Sequence, residues 1–350
     1  PTELQSRLRI TGNDLNDFAL SWAINSHNSN LPDYTENIEM NHDRYGSMAQ
    51  RLPVNGIYFQ KMDAKLAMAD ASYQWIDIDP FGSPVPFIDS AIQSLARTGV
   101  LEVTATDTAA LTGSSLSSQK RRYGAQGIVD DYAHDDAVRV LLGMIAKTAA
   151  MHDRIIKPIL SLFDGHHVRV SVLIKTSKEA ASNFQEQLGY RLRTKDVPYK
   201  FIKYPSADQI KSASGPLWIG PLMDKEIAGR LTEECAIQTC LPTSDELEEL
   251  IAKGLAWSDK DVEYATREMI RSVKHISSAA DLLSRQHMLL SLNSMPRLAG
   301  TKGAPKMDDV ISDLIELGYS AARYPDMEPM FVTDASFDDV ISIFRKYHYD

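Results

Sequence analysis

Very little in this 350-residue sequence could staple or anchor it. There are two cysteines, Cys235 and Cys240, which leaves no disulfide framework to expect. With no second Cys or His pair beside them, their spacing also fails as a zinc site, and no structural metal is expected. No apolar run approaches the ~20 residues of a membrane span, and no signal peptide is visible. A reducing, cytoplasmic setting is therefore expected. Positive charge is scarce as well: 37 Lys and Arg face 47 Asp and Glu, a formal net charge of −10. Phosphate binding is driven by Lys and Arg releasing counterions, so this balance argues at first sight against a nucleic-acid partner.

What is present is more informative. A chain of this length, 43% hydrophobic, buries a sizeable core and is expected to make two domains. Its charge is uneven, and distribution matters more than the sum. From Lys175 to Lys211 there are eight Lys or Arg (Lys175, Lys178, Arg191, Arg193, Lys195, Lys200, Lys203, Lys211) against four acids. Lys120, Arg121 and Arg122 form a second cluster, with Tyr123 beside them for stacking. On charge alone, solvated faces explain both patches better than an RNA surface does; only the motif described next tilts the balance.

That motif is WIDIDPFGSPVP, Trp75 to Pro86. Trp75 to Ile78 reads as a buried strand that ends abruptly at Asp79, Pro80, Phe81 and Gly82. In open α/β sheets, ligands sit at the carboxyl ends of strands, which points Asp79 toward chemistry. Its carboxylate and the Pro80 carbonyl are two acceptors held together by a residue of fixed φ, and two acceptors suit the two hydrogens of an exocyclic amine. Phe81 offers a flat face on which a flipped base could stack. The plainer alternative is an ordinary Asp-Pro turn with Phe81 in the core.

Together with VTATDTAAL (Val103 to Leu111) and GPLWIGPL (Gly215 to Leu222), this stretch strongly resembles the tRNA guanosine-26 N2-dimethyltransferases of archaea and eukaryotes. The likeness runs from about Leu8 to about Val340, and the three motifs follow the family's order. The resemblance implies that Asp79 is the catalytic residue, with Pro80 and Phe81 beside it, and that S-adenosylmethionine and tRNA are the substrates. Asn13-Asp14 matches the family's Asn-Asp. Asp14 would then accept from the ribose hydroxyls, although as a helix cap it is equally ordinary. Asp63-Ala64 matches the pair that meets the adenine, and here too a cap role for Asp63 competes. Relatives have a first strand and a glycine-containing cofactor loop upstream of Leu8, and nothing here corresponds to them. Either the chain is a fragment, the preferred reading, or it cannot bind the cofactor normally.

Taken in order, Leu8 to Thr11 reads as a strand, Asn16 to Ser26 as a helix, and Asn28 to Pro53 as a polar loop with His42 solvated. Gly56 to Gln60 is a strand, Pro84 to Arg97 an amphipathic helix, and Gly99 to Thr106 a strand with Asp107 at its end as a reserve base. Leu111 to Gln126 reads as a substrate-binding loop. Tyr132, His134, Asp135 and Arg139 follow the family's Tyr-x-His-acid pattern, with Asp135 for the more usual Glu and Thr112 where relatives often have Cys. His134 is expected to contact RNA or to be structural. Ile155 to Phe163 and Val168 to Lys175 form a hairpin at Asp164-Gly165. Helices are expected at Asp224 to Glu234, Ser244 to Lys253, from Ser258 past Val273, Lys306 to Leu317 and Phe337 to Tyr347, with two short runs, Tyr319 to Arg323 and Met330 to Thr333. Between those runs the family's hairpin is basic, whereas ARYPDMEPMFVTD keeps only Arg323 and adds acids.

The expected architecture is α/β: a Rossmann-like S-adenosylmethionine-dependent methyltransferase domain over 1–222, its core sheet reaching about 176, then a mainly helical, winged-helix-like tRNA-binding domain over 223–350. The expected function is dimethylation of the N2 amine of guanosine 26 in tRNA by a monomer without metal. The RNA contacts expected are Lys120, Arg121, Arg122, Tyr123, His134 and Arg323. Another nucleic-acid amino-methyltransferase of the same fold, or a non-catalytic RNA-binding protein, remains open on the sequence alone.

Overall fold

The computed structural model describes residues 10–29, 57–241, 258–285, 287–327 and 329–347, together with residue 248. Most of the polar stretch from Asn28 to Pro53, with His42, and the helix expected at Ser244 to Lys253 lie outside them. Strands β1 (Ile10–Asn13) and β2 (Ile57–Gln60) pair in parallel, from Ile10 with Ile57 to Asn13 with Gln60, so their carboxyl ends lie side by side. A helix follows each, Asp17–Ser29 after β1 and Ala64–Ala69 after β2.

The larger sheet holds β3 (Tyr73–Ile78), β4 (Leu95–Ala105), β5 (Arg154–Phe163) and β6 (Val168–Thr176) in the order β3-β4-β6-β5. β3 and β4 are parallel, and β5 and β6 close the sheet as an antiparallel hairpin. In the hairpin turn Gly165 takes φ +94 and Asp164 Oδ1 accepts the backbone N–H groups of His166 and His167, each at 2.9 Å. The crossover between β3 and β4 is the helix Val85–Ser94, three residues shorter at its end than expected, because Leu95 already pairs with Tyr73. Alternation in the strands does the rest: Leu101, Val103, Val168, Val170, Val172 and Ile174 are fully buried. The long helix Ala133–Met151 packs on this sheet and buries Val138, Leu141, Leu142, Ile145 and Ala149. Alternate residues of these strands and most of the helix thus leave water, which is where most of the stabilisation of such a core arises.

A second sheet was not foreseen. β7 (Leu188–Arg193), β8 (Tyr199–Ile202) and β9 (Ala213–Trp218) form an antiparallel sheet in the order β8-β7-β9, within the stretch whose charges dominated the sequence reading. Trp218 of GPLWIGPL is buried, its indole N–H donates to the Pro221 carbonyl at 2.7 Å, and its own carbonyl accepts from Arg139 at 3.2 Å. The motif is therefore fastened to the helix Ala133–Met151.

Beyond residue 222, the single helix expected at Asp224 to Glu234 is two, Lys225–Ala228 and Glu233–Cys240, interrupted at Gly229. The helix Asp259–Leu283 follows. A third strand joins the two expected ones: β10 (Met288–Ser291), β11 (Ala321–Arg323) and β12 (Met330–Thr333) pair antiparallel in the order β10-β12-β11. The helices Met307–Glu316 and Phe337–Lys346 pack into a smaller buried cluster around Leu290, Val310, Phe331 and Phe344. Ile276, Ala280, Leu283, Tyr324 and Val332 instead share the main core with the larger sheet, so apolar packing is continuous across residue 222.

Candidate active site

The stretch after β3 is built to hold one aromatic ring in water. β3 is buried on one face only: Ile76 and Ile78 are inside, whereas Trp75 and Asp77 are exposed, which corrects the reading of a fully buried strand. Asp79 follows at the carboxyl end, exposed, and Phe81 is 104% exposed. A phenylalanine in an ordinary turn over a core would be covered, so the plainer reading of this motif is wrong. Gly82 turns the chain with φ +86, its N–H donates to Thr106 Oγ1 at 2.6 Å, and its carbonyl accepts the Thr106 N–H at 3.0 Å.

Because β3 and β4 are parallel neighbours, Asp79 and Asp107 stand at the same edge of the sheet. Their surroundings differ. Asp107 accepts from the Tyr123 hydroxyl at 2.6 Å on one oxygen and from Arg122 Nη1 at 2.8 Å on the other. The Asp79 carboxylate makes no hydrogen bond or ion pair among the described residues. Of the two carboxylates, Asp79 is the one available to a ligand amine, and Asp107 is committed to structure.

At the paired ends of β1 and β2 the side chains present acceptors. Asn13 Nδ2 donates to the Met62 carbonyl at 3.0 Å, which leaves its buried Oδ1 with no partner. Asp14 Oδ1 accepts the Asn16 N–H at 2.7 Å. Asp63 caps the helix Ala64–Ala69, its Oδ1 accepting from the Lys65 and Leu66 amides at 2.9 and 3.4 Å. Each aspartate keeps a second oxygen outside these turns. Three acceptors at one edge beside the small Ala64 fit a ligand with hydroxyl and amine donors, which is what a nucleoside offers.

The expected RNA contacts divide. The predicted loop Leu111 to Gln126 starts at the last residue of the helix Thr108–Leu111 and contains the helix Leu116–Tyr123, ended by Gly124 at φ +63. Lys120 and Arg121 are exposed on it. Tyr123 is only 6% exposed, and burial raises its phenol pKa, so it is not a stacking surface. His134 stacks on Phe163 with centroids 4.3 Å apart, and burial on that side holds its pKa below the usual histidine value. Arg323 pairs with Asp308 at 2.7 Å. The basic stretch is only partly engaged: Lys203 pairs with Glu186, Lys211 with Asp208, and Arg191 is fully buried between Asp130 and Asp136, whereas Lys175, Lys178, Lys195 and Lys200 are exposed. Sequence reading missed this buried network; its signal was the run of acids at Asp130, Asp131, Asp135 and Asp136 opening an apolar helix, which requires a counterion. Both cysteines are free and exposed. Among the described residues, no helix is long and apolar enough to cross a membrane.

The parallel β3-β4 pair with its acid-aromatic turn and the closing antiparallel hairpin define a Rossmann-like methyltransferase, followed by a helical region. The chain belongs to the family described as TRM, N2,N2-dimethylguanosine tRNA methyltransferase, which residues 2–293 match. It is 30% identical over 292 residues to the tRNA (guanine(26)-N(2))-dimethyltransferase of Archaeoglobus fulgidus, covering 81% of this chain and 72% of that protein. The enzymes of the same name from Thermococcus kodakarensis and Metallosphaera sedula are 29% and 36% identical, over 83% and 58% of this chain. The chain spans 69% and 56% of their respective lengths. The solved complex of Trm1 from Pyrococcus horikoshii with S-adenosyl-L-methionine shares the fold, with a TM-score of 0.73 at 24% identity, covering 96% of this chain and 81% of that one.

Proposed function

We propose that this chain methylates the exocyclic N2 amine of guanosine 26 in tRNA, twice in succession, using S-adenosylmethionine. The observation that carries the reading is Phe81, a fully exposed ring held beside an unengaged carboxylate at the carboxyl end of a strand. A guanine turned out of the tRNA stack lies against Phe81, and its amine donates to Asp79 and to the Pro80 carbonyl. That grip leaves the nitrogen lone pair uncovered. Guanine's amine is a weak nucleophile because its lone pair is shared with the ring, so alignment supplies the larger part of catalysis, up to about 7–11 kcal/mol. Asp79 then takes the released proton and stabilises the charge that develops on nitrogen.

S-adenosylmethionine, when bound, supplies an electrophilic methyl group; Asp14 would hold its ribose, and Asp63 and Ala64 its adenine. We further assign Lys120, Arg121 and His134 to the tRNA surface and residues 223–350 to a tRNA-binding role, in a monomer acting in the cytoplasm. The test is nucleoside analysis of a tRNA transcript after incubation with the full chain and S-adenosylmethionine. Dimethylguanosine at position 26 is the expected product; methylation at another guanine would give the same fold a different substrate, and RNA binding without cofactor affinity would refute catalysis.

A further inference from the structure

We propose that Thr106 is a positioning residue, which locks the Asp79–Phe81 turn through Gly82 in the shape that receives the base. This rests on the function proposed above. Gly82 and Thr106 exchange two hydrogen bonds, the Gly82 N–H to Thr106 Oγ1 at 2.6 Å and the Thr106 N–H to the Gly82 carbonyl at 3.0 Å. One of the two runs through a side chain, so it can be removed without touching the backbone. Thr106 is exposed but stands directly after β4, whose Val103 and Ala105 are fully buried, so its backbone continues a strand fixed in the core. A second tie follows one residue on: Ser83 Oγ lies 3.0 Å from the hydroxyl of buried Tyr123, which is itself fixed to Asp107.

The need for a lock follows from Phe81. An apolar ring standing fully in water gains by folding back onto any nearby apolar surface, so its exposure must be imposed by what flanks it. Gly82 sits at φ +86, and a Cβ added there meets nothing within 4 Å; glycine is required for the turn's conformation, not for room. With its N–H released from Thr106, such a residue has other conformations open to it, and Phe81 and Asp79 move with it.

The experiment compares Thr106→Val, which removes the acceptor at nearly constant shape, with Thr106→Ser, which keeps it and loses only a methyl group. On tRNA with saturating S-adenosylmethionine, Thr106→Val should lower kcat by about tenfold or more while KM for tRNA stays close to wild type, and Thr106→Ser should restore kcat. Hydrogen exchange at the Gly82 amide gives a readout that needs no activity: it should quicken by about tenfold or more in Thr106→Val and stay slow in Thr106→Ser. Equal impairment of the two variants, wild-type kcat in Thr106→Val, or unchanged exchange at Gly82 would each overturn the assignment. If the wild-type chain makes no methylated guanosine, the functional reading fails, and the Gly82 exchange still decides whether Thr106 holds the turn.

Discussion

Replacing Arg191 by Met should strongly destabilise the fold while leaving the outer surface unchanged. The Arg191 side chain is fully buried. Its Nε and Nη2 donate to Asp136 at 2.8 and 2.6 Å, and its Nη1 and Nη2 donate to Asp130 at 3.0 and 2.9 Å. The guanidinium also lies 5.2 Å from the Tyr132 ring and 5.8 Å from that of Tyr199. Methionine fills the aliphatic space but strands two acids. Asp130 is 13% exposed and keeps Arg193 at 2.8 Å, so it can recover. Asp136 is 1% exposed and loses the Arg191 guanidinium that pairs with it, so most of the cost falls there. Removing one member of a buried ion pair costs about 3–5 kcal/mol, a large share of the net stability of an ordinary domain.

The pH dependence of that loss has a definite sign. Burial already raises the Asp136 pKa above the ordinary carboxylate value, against the pull of Arg191, and removing Arg191 raises it further. A carboxyl whose folded pKa lies above its unfolded one weakens the fold where it is ionised, so the deficit of Arg191→Met should shrink as pH falls. Denaturant titrations at pH 5 and pH 8 would measure it, with an unchanged m-value certifying that only stability moved. Adding Asp136→Asn to Arg191→Met should recover part of the loss. A deficit under about 1 kcal/mol, or one that is equal at the two pH values, would refute the buried-pair account. Lost RNA affinity at full stability would return Arg191 to the surface role that its charge alone suggested.

Phe81→Ala should leave stability within about 0.5 kcal/mol, because the ring buries nothing, yet lower tRNA methylation by a stacking contribution of about 1–3 kcal/mol; calorimetry and turnover on one preparation check both. Tyr324→Phe removes the hydroxyl that donates to buried Asp135 at 3.1 Å and ties the β11–β12 connection to the helix Ala133–Met151, and should cost about 1–3 kcal/mol in denaturant titration. Burial against Phe163 lowers the His134 pKa from 6.5, so protonation favours the unfolded chain, and stability present above pH 6.5 is lost as pH falls below it. His134→Gln should therefore flatten the fall in melting temperature between pH 7.5 and pH 5.5, and an unchanged slope would remove His134 from that account.

Local signals carried much of the architecture. The β-prone runs Ile155 to Phe163 and Val168 to Lys175 and the Asp164-Gly165 turn predicted the closing hairpin, which formed nearly where expected. The DPFG step was legible because Pro and Gly punctuate it so sharply, but whether Phe81 faces core or solvent depends on the tie to Thr106, 24 residues away, which no local pattern encodes. The same limit hid β7 to β9. Charge in Lys175 to Lys211 drew the eye to solvent, whereas Arg191 is paid for by Asp130 and Asp136, more than 50 residues upstream. Ser115 to Tyr123 reads as a loop by composition, yet buried Gln119 and Tyr123, four apart, draw it into a helix that Gly124 ends. The helix expected to reach Arg97 stops before Leu95 because strand pairing with Tyr73, not propensity, ends it, whereas the break at Gly229 carries local signals, the glycine cap and the Thr232 cap of the next helix.

The most direct test of the account is Asp79→Ala in the full chain, assayed for guanosine methylation and for tRNA affinity side by side. Among the described residues Asp79 has no structural partner to lose, so the variant should fold and bind tRNA as the wild type does while methylation disappears. Turnover at the wild-type rate in that variant would contradict the account at its centre, because Asp107, the neighbouring carboxylate at the end of β4, is already held by Arg122 and Tyr123.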